Sequence, residues 1–302
     1  MLHHPAGTDR TPARTTLCHR AHLRTVAALT ATGAVTGLIA GCSTASQAAA
    51  PPTRGGLWTS YQPAKSDDHA WARDFLRQRR LPEGVAEQLN KRLKLREKIG
   101  IQGRTCGNSD VAYDPEERRV ELCYEFVDEV RELFEDDAAD AADESGTADA
   151  EADSAAIDGK IADKTAGVVT ETLYHEVAHA LIDRLDLPFV GREEDVADQF
   201  AAYHLIPQGK AGRAAVLAAA DNYLLYAGQT DPADIDFADE HLPDAARAAN
   251  YYCYVYGSAP DRHRSLVDGE RLTKERAELC EDEYDDLRRG WSTLLAPYET
   301  SR

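Results

Sequence analysis

The chain has 302 residues, with 53 acidic against 34 basic side chains and a formal net charge of −19 at pH 7. So acidic a protein repels nucleic acid and anionic membrane surfaces, which argues against a polynucleotide partner. Its length allows one catalytic-sized domain of about 230 residues once the N-terminal segments are set aside.

Arg10, Arg14, Arg20 and Arg24 precede an apolar run from Val26 to Ala40. The run is too short to span a bilayer as a stable helix and reads as an export signal. It ends Leu38-Ile39-Ala40-Gly41-Cys42, which is similar to the lipobox of bacterial lipoproteins. Residues 1–42 are therefore expected to be a lipoprotein signal peptide, with Cys42 the lipidated residue. The alternative is an ordinary secretory signal cleaved near Ala48 to Ala50. Either route places the mature protein outside the cytoplasm, anchored to the cell membrane by lipid or secreted. Removing residues 1–41 deletes four arginines and Asp9, moving the formal charge from −19 to −22. Two acyl chains on one cysteine anchor firmly enough to overcome that repulsion. Residues 43–67, rich in Ala, Ser, Thr and Pro, read as a flexible linker, and the folded domain is expected over 68–302.

Two helices are expected next, Asp68 to Arg80 and Glu83 to Lys94, separated by Leu81-Pro82, with Trp71, Phe75 and Leu89 as core candidates. A small sheet follows. Lys98 to Arg104, Val111 to Tyr113 and Arg119 to Tyr124 have strand character, and Asp114-Pro115-Glu116-Glu117 is a turn signal. Val120, Leu122 and Tyr124 alternate with Glu121, Cys123 and Glu125, the pattern of a strand with one buried face. Phe126 to Phe134 reads as helix. Residues 135–160 are then almost wholly Ala, Asp, Glu, Ser and Gly, too poor in apolar surface to offset ordering, so an acidic disordered insertion is expected.

Beyond Cys18 and Cys42 the chain holds Cys106, Cys123, Cys253 and Cys280, an even number that permits three pairings. Each of Cys106–Cys123 and Cys253–Cys280 brackets a local supersecondary unit, and these are the disulfides expected in an oxidising compartment.

The chemistry concentrates in Tyr174-His175-Glu176-Val177-Ala178-His179-Ala180-Leu181, followed fifteen residues after His179 by Glu194-Asp195-Val196-Ala197-Asp198. On a helix from Val168 to Asp186, His175 and His179 stand one turn apart on one face and can grip one metal ion. Zinc favours imidazole nitrogens, and a catalytic site keeps one of four positions for water, so a third protein ligand is needed. Glu194 heads a second amphipathic segment ending at Leu205, whose Val196, Ala197, Phe200 and Ala201 can pack on the first helix. Asp198, one turn later, is placed to accept a ring N–H from a ligating histidine. Glu176 is left off the metal, free to take and pass on a proton. Ile206-Pro207-Gln208-Gly209 then breaks the pattern. The remainder reads as helices over Ala211 to Tyr226, Pro243 to Tyr256, Asp261 to Val267 and Thr273 to Leu295.

His175-Glu176-x-x-His179 with Glu194-x-x-Ala197-Asp198 resembles the gluzincin pattern of zinc metallopeptidases. The longer set, Tyr113-Asp114-Pro115, Arg119-Val120, Cys123 to Phe126, the histidine motif and Gly191 to Phe200, resembles a bacterial domain-of-unknown-function family of metallopeptidases. The likeness runs from about Trp71 to Tyr298. It implies an α+β, zincin-like fold: a small sheet, the HExxH helix and a mainly helical C-terminal part. It also implies an edge strand bordering the cleft, where an extended peptide binds by strand addition. His241, Arg247 and Tyr251 resemble a similarly spaced trio of that family, which makes His241 a candidate for holding the developing oxyanion, with Tyr251 behind it. His241 as a surface residue at a helix start is the other reading.

The function expected is a zinc-dependent peptidase acting on peptide or protein substrates, with His175, His179 and Glu194 on Zn2+ and Glu176 as general base. The chain is expected to be a monomer with no nucleic-acid partner. A non-catalytic zinc-containing surface lipoprotein that binds or senses a partner stands as the alternative, and hydrolysis of a non-peptide such as a cell-wall amide shares the same machinery.

Overall fold

A computed structural model of the chain describes residues 55–145 and 151–300. The expected signal peptide over 1–42, Cys42 and the first part of the linker lie outside the described residues. Among the described residues no helix is long and apolar enough to cross a membrane.

The fold is α+β. A four-stranded sheet of β1 (Gly56–Tyr61), β2 (Lys98–Arg104), β3 (Val111–Asp114) and β4 (Arg119–Cys123) has the order β1-β2-β4-β3. β1 pairs with β2 and β2 with β4 in parallel, while β3 and β4 form an antiparallel hairpin. Asp114 closes that hairpin by accepting from the backbone of Glu116 and Glu117 at 2.8 and 3.0 Å, as the Asp-Pro turn signal predicts. β3 is therefore an edge strand. β1 corrects the expected linker: Gly56 to Tyr61 is not spacer but strand, with Leu57 buried against the sheet. Its partner lies some forty residues away, at Lys98 to Gly103, so local composition did not reveal the pairing.

The helices α1 (Asp67–Arg79) and α2 (Leu81–Arg92) sit between β1 and β2 in the chain. Ser66 caps α1 by accepting from His69 N, and Arg80 in the left-handed region ends it. Phe75 and Leu89 are buried as expected. Trp71 is not: it is 39% exposed, stacked on Phe75, with the Arg131 guanidinium 4.6 Å over its ring.

After the sheet come α3 (Tyr124–Ser145), α4 (Glu151–Leu185), α5 (Glu193–Leu205), α6 (Lys210–Gln229), α7 (Asp244–Ser258) and α8 (Lys274–Leu295). α3 and α4 correct the expected disordered insertion over 135–160, because both run into it, leaving 146–150 outside the description. Alanine and glutamate are strong helix formers, and enough apolar side chains recur to seat the helices. Ala138 and Ile157 pack against a cluster of Val130, Phe134, Ile161, Val168 and Ala218. The stretch Asp261 to Val267 forms two 3-10 turns, Pro260–Arg262 and Arg264–Leu266, being too short for an α-helix to nucleate.

α4 is the central element, packed against α3, α5 and α6 and against β3 and β4. Leu173, Tyr174, Val177, Ala178 and Leu181 are wholly buried. Gly167 lets α6 approach, since a Cβ there would lie 3.0 Å from Ala215 Cα and from Ala218 Cβ. Both expected disulfides are formed. Cys106–Cys123 ties the loop after β2 to the end of β4, and Cys253–Cys280 ties α7 to α8.

Candidate metal centre

The helical repeat places Glu171, His175 and His179 one turn apart along one face of α4. The chain then reverses through Gly191, whose φ of 101° suits glycine, into the first turn of α5. That turn carries Glu193, Glu194 and Asp195, acidic residues that favour a helix N-terminus. With α5 packed on α4, Glu194 Oε2 lies 3.0 Å from His175 Nε2 and 3.3 Å from His179 Nε2, and the two Nε2 atoms are 3.1 Å apart. The side chains that the sequence pattern singled out do converge.

The other ring nitrogens are held. His175 Nδ1 is 2.8 Å from Asp198 Oδ1, the contact expected of Asp198, and His179 Nδ1 is 2.9 Å from Glu193 Oε1. Carboxylates at both Nδ1 positions favour the tautomer with the proton on Nδ1. Both Nε2 lone pairs then face each other and a carboxylate oxygen: three electron donors aimed at one point, which only a cation can satisfy. A proton or a metal ion fits. Burial disfavours a charged His175, but the hydrogen bonds from Asp198 and Glu194 outweigh it and push its pKa up to about 10. Burial likewise raises Glu194, yet the contacts with His175, His179 and His241 hold it well below the usual carboxylate range. The pocket demands positive charge, and its donor set of two imidazoles and a carboxylate is one that divalent zinc accepts.

Asp198 is itself fixed. Arg247 on α7 donates from Nε to Oδ2 at 2.9 Å and from Nη2 to Oδ1 at 2.7 Å, a two-pronged pair in which both partners are buried. Burial raises Asp198, but the Arg247 guanidinium and His175 hold it low. Tyr251, one turn after Arg247, donates to Glu171 and lies 3.2 Å from Asp198. This revises its expected place behind His241. Burial and the neighbouring Asp198 push Glu171 up to about 7.

Glu176 projects beside the histidine face and is 8% exposed. Its Oε2 accepts from the backbone N–H of Tyr113 on β3 at 2.8 Å, and the Tyr113 hydroxyl donates to Asp183 on α4 at 2.7 Å. The edge strand is thus pinned alongside the motif helix. Burial raises the Glu176 pKa, with His175 and His179 opposing. His241 lies in the loop before α7, its backbone held by Asp239 and by Arg192. Its Nε2 is 2.9 Å from Glu194 Oε2, so it joins the cluster from the rim, with its side chain 41% exposed.

Sequence reasoning missed Glu193, Glu171 and the backbone of Tyr113, and gave Arg247 no task. Glu171 had a local signal, four residues before His175. Arg247 and Tyr251 share a helix face by their spacing, but only the packing of α7 against α6 and α5 brings them to Asp198 and Glu171. A second trio, Glu171, His175 and Asp198, has Glu171 Oε1 engaged by Tyr251 and both Asp198 oxygens engaged by Arg247, with Glu171 Oε2 buried and unpaired, and Cys106 and Cys123 beside Glu125 are spent in a disulfide.

His175, Glu176, His179, Glu193, Glu194, His241 and Arg247 border a cleft of about 690 Å³ walled by β3, α3, α4, α6 and the His241 loop, and Glu171, Asp198 and Tyr251 are not among its lining residues. A larger hollow of about 830 Å³ lies around Lys91, Arg92, Tyr203 and Arg288 and contains none of them. No match is found among curated proteins or among solved structures. One family model, described as "Putative metallopeptidase", matches residues 61–295, which takes in β2 to β4, the histidine helix, α5 and the helices behind them. The chain belongs to that metallopeptidase family.

Proposed function

We propose that this chain is a zinc-dependent peptidase of the cell exterior, exported by residues 1–42 and anchored through lipid on Cys42. His175, His179 and Glu194 would hold the zinc ion. The observation that carries the reading is the convergence of their three donor atoms within 3.0 to 3.3 Å, at the wall of a cleft lined by an edge strand.

When bound there, zinc supplies Lewis acidity, polarising a scissile carbonyl and bringing the pKa of a water toward about 7. The protein's own groups do the rest. Glu176, buried and with its pKa raised, takes the proton from the attacking water and returns it to the departing amine. Its bond to Tyr113 N keeps the carboxylate beside β3, where a peptide lying antiparallel or parallel to the edge strand would present its carbonyl. His241, beside Glu194, donates to the oxyanion as it develops. Asp198 and Glu193 fix the two histidine rings, and Arg247 fixes Asp198.

The proximity of His241 Nε2 to Glu194, 2.9 Å, favours a second reading in which four side chains close the site and the protein is a non-catalytic zinc lipoprotein. Peptide-library cleavage by the mature domain, with Glu176→Gln beside it, separates them. Cleavage by the wild type that Glu176→Gln abolishes supports the peptidase. A zinc-loaded protein that cleaves nothing supports the closed site.

A further inference from the structure

One wall of the cleft carries a feature that catalysis does not use. Asn222 on α6 is 3% exposed, it lines the cleft, and its Oδ1 is buried without a hydrogen-bond partner. A buried acceptor left unpaired is costly, and the cost is recovered when a donor arrives. Around it stand Phe126 from α3, Val168 and Thr172 from α4, and Tyr223 and Tyr226 from α6. Tyr226 donates its hydroxyl to Glu129 at 2.7 Å, and the Arg247 guanidinium lies over one face of the Tyr223 ring, 4.1 Å from its centroid. Phe126, Tyr223 and Tyr226 give the compartment aromatic walls, and among its lining residues Asn222 Oδ1 is the buried side-chain acceptor without a partner.

The compartment lies at a useful distance from the chemistry. Thr172 and Val168 precede Glu176 on α4 by one and two turns, roughly 6 and 12 Å at the helical rise per residue. A side chain next to the scissile bond spans that interval. The same cleft is bordered by Asp110, Asp183, Glu193 and Glu240, so its rim attracts positive and N–H-bearing groups and repels carboxylates.

We propose that the compartment walled by α3, α4 and α6 is the specificity pocket of this protein, and that Asn222 selects substrates whose inserted side chain ends in an N–H donor, an amide or an ammonium. The proposal rests on the peptidase reading for its substrate class. Apolar walls take the stem of such a side chain and Oδ1 takes its tip. A purely apolar side chain fills the same space but leaves the acceptor unpaired, and an acidic one meets both an acceptor and the acidic rim.

The test is affinity selection from a random-sequence hexapeptide library on the zinc-loaded Glu176→Gln variant, followed by sequencing of the retained peptides, with and without Asn222→Leu. The retained pool should be enriched at one position in Gln, Asn, Lys or Arg, and Asn222→Leu should cut that enrichment at least about tenfold in favour of Leu and Met. Asn222→Ala serves if the leucine variant does not fold, with the same loss expected. Enrichment of Asp or Glu, selection unchanged by either substitution, or no retention at all overturns the proposal. Retention with the expected pattern but no cleavage by the wild type leaves the pocket standing and removes the peptidase reading. Cleavage without side-chain discrimination does the reverse.

Discussion

Asp198→Asn is the perturbation that most sharply separates a built metal centre from a chance cluster. The substitution keeps size and shape but removes the charge that Arg247 contacts at 2.7 and 2.9 Å and that His175 contacts at 2.8 Å. Arg247 is 9% exposed and has no other carboxylate among its described hydrogen bonds, so its charge would be left buried and uncompensated. Breaking a buried pair from one side costs about 3–5 kcal/mol. For a domain of this size that corresponds to a fall in Tm of roughly 6–20 °C at about 2–4 °C per kcal/mol. Zinc affinity should fall separately, by about 10–100-fold, because the ring of His175 loses its orienting partner. Thermal unfolding followed by circular dichroism, on chelator-treated and zinc-loaded protein, reads the first effect, and competition against a chromophoric chelator reads the second. Adding Arg247→Met should restore part of the stability and none of the affinity. An Asp198→Asn protein within about 0.5 kcal/mol of wild type and with unchanged zinc affinity would refute the reasoning.

Further outcomes follow from the same geometry. Glu176→Gln should retain zinc and lose about 10²–10⁴ in turnover, measured as kcat on any cleaved peptide. His241→Ala divides the two readings: a fall in kcat with zinc content unchanged marks an oxyanion donor, while loss of zinc marks a fourth ligand. In chelator-treated protein His175 has a folded pKa raised to about 10 from an ordinary 6.5, so its stabilisation is complete below about pH 6.5 and lost as pH rises toward 10. Denaturant midpoints should decline over that interval, and zinc loading should flatten the decline because the metal replaces the proton. Opening Cys253–Cys280, which closes a 27-residue separation, by replacing both cysteines with serine should cost roughly 3–4 kcal/mol in the urea midpoint.

What could be read from sequence was whatever local periodicity encodes. His175 and His179 share a face because of the helical repeat, and β2 from Lys98 to Arg104 stands where its residues predict it. The convergence of Glu194 followed from a short connection and an amphipathic α5. What escaped was set by partners distant in the chain. Gly56 to Tyr61 becomes strand only because β2 offers an edge, and residues 135–145 and 151–160 become helix because Ala138, Ile157 and Ile161 find a shared apolar surface. The layer behind the histidines is of the same kind. Glu171 and Asp198 gain their partners from α7, and Glu176 gains its own from the backbone of β3, where no side-chain pattern could announce it.

Metal stoichiometry of the purified mature domain tests the central claim most directly. The account predicts about one zinc ion per chain in the wild type and in Glu176→Gln, and its loss in His179→Ala with the fold retained. A wild-type protein that binds no zinc, or a His179→Ala protein that binds it equally well, would contradict the account.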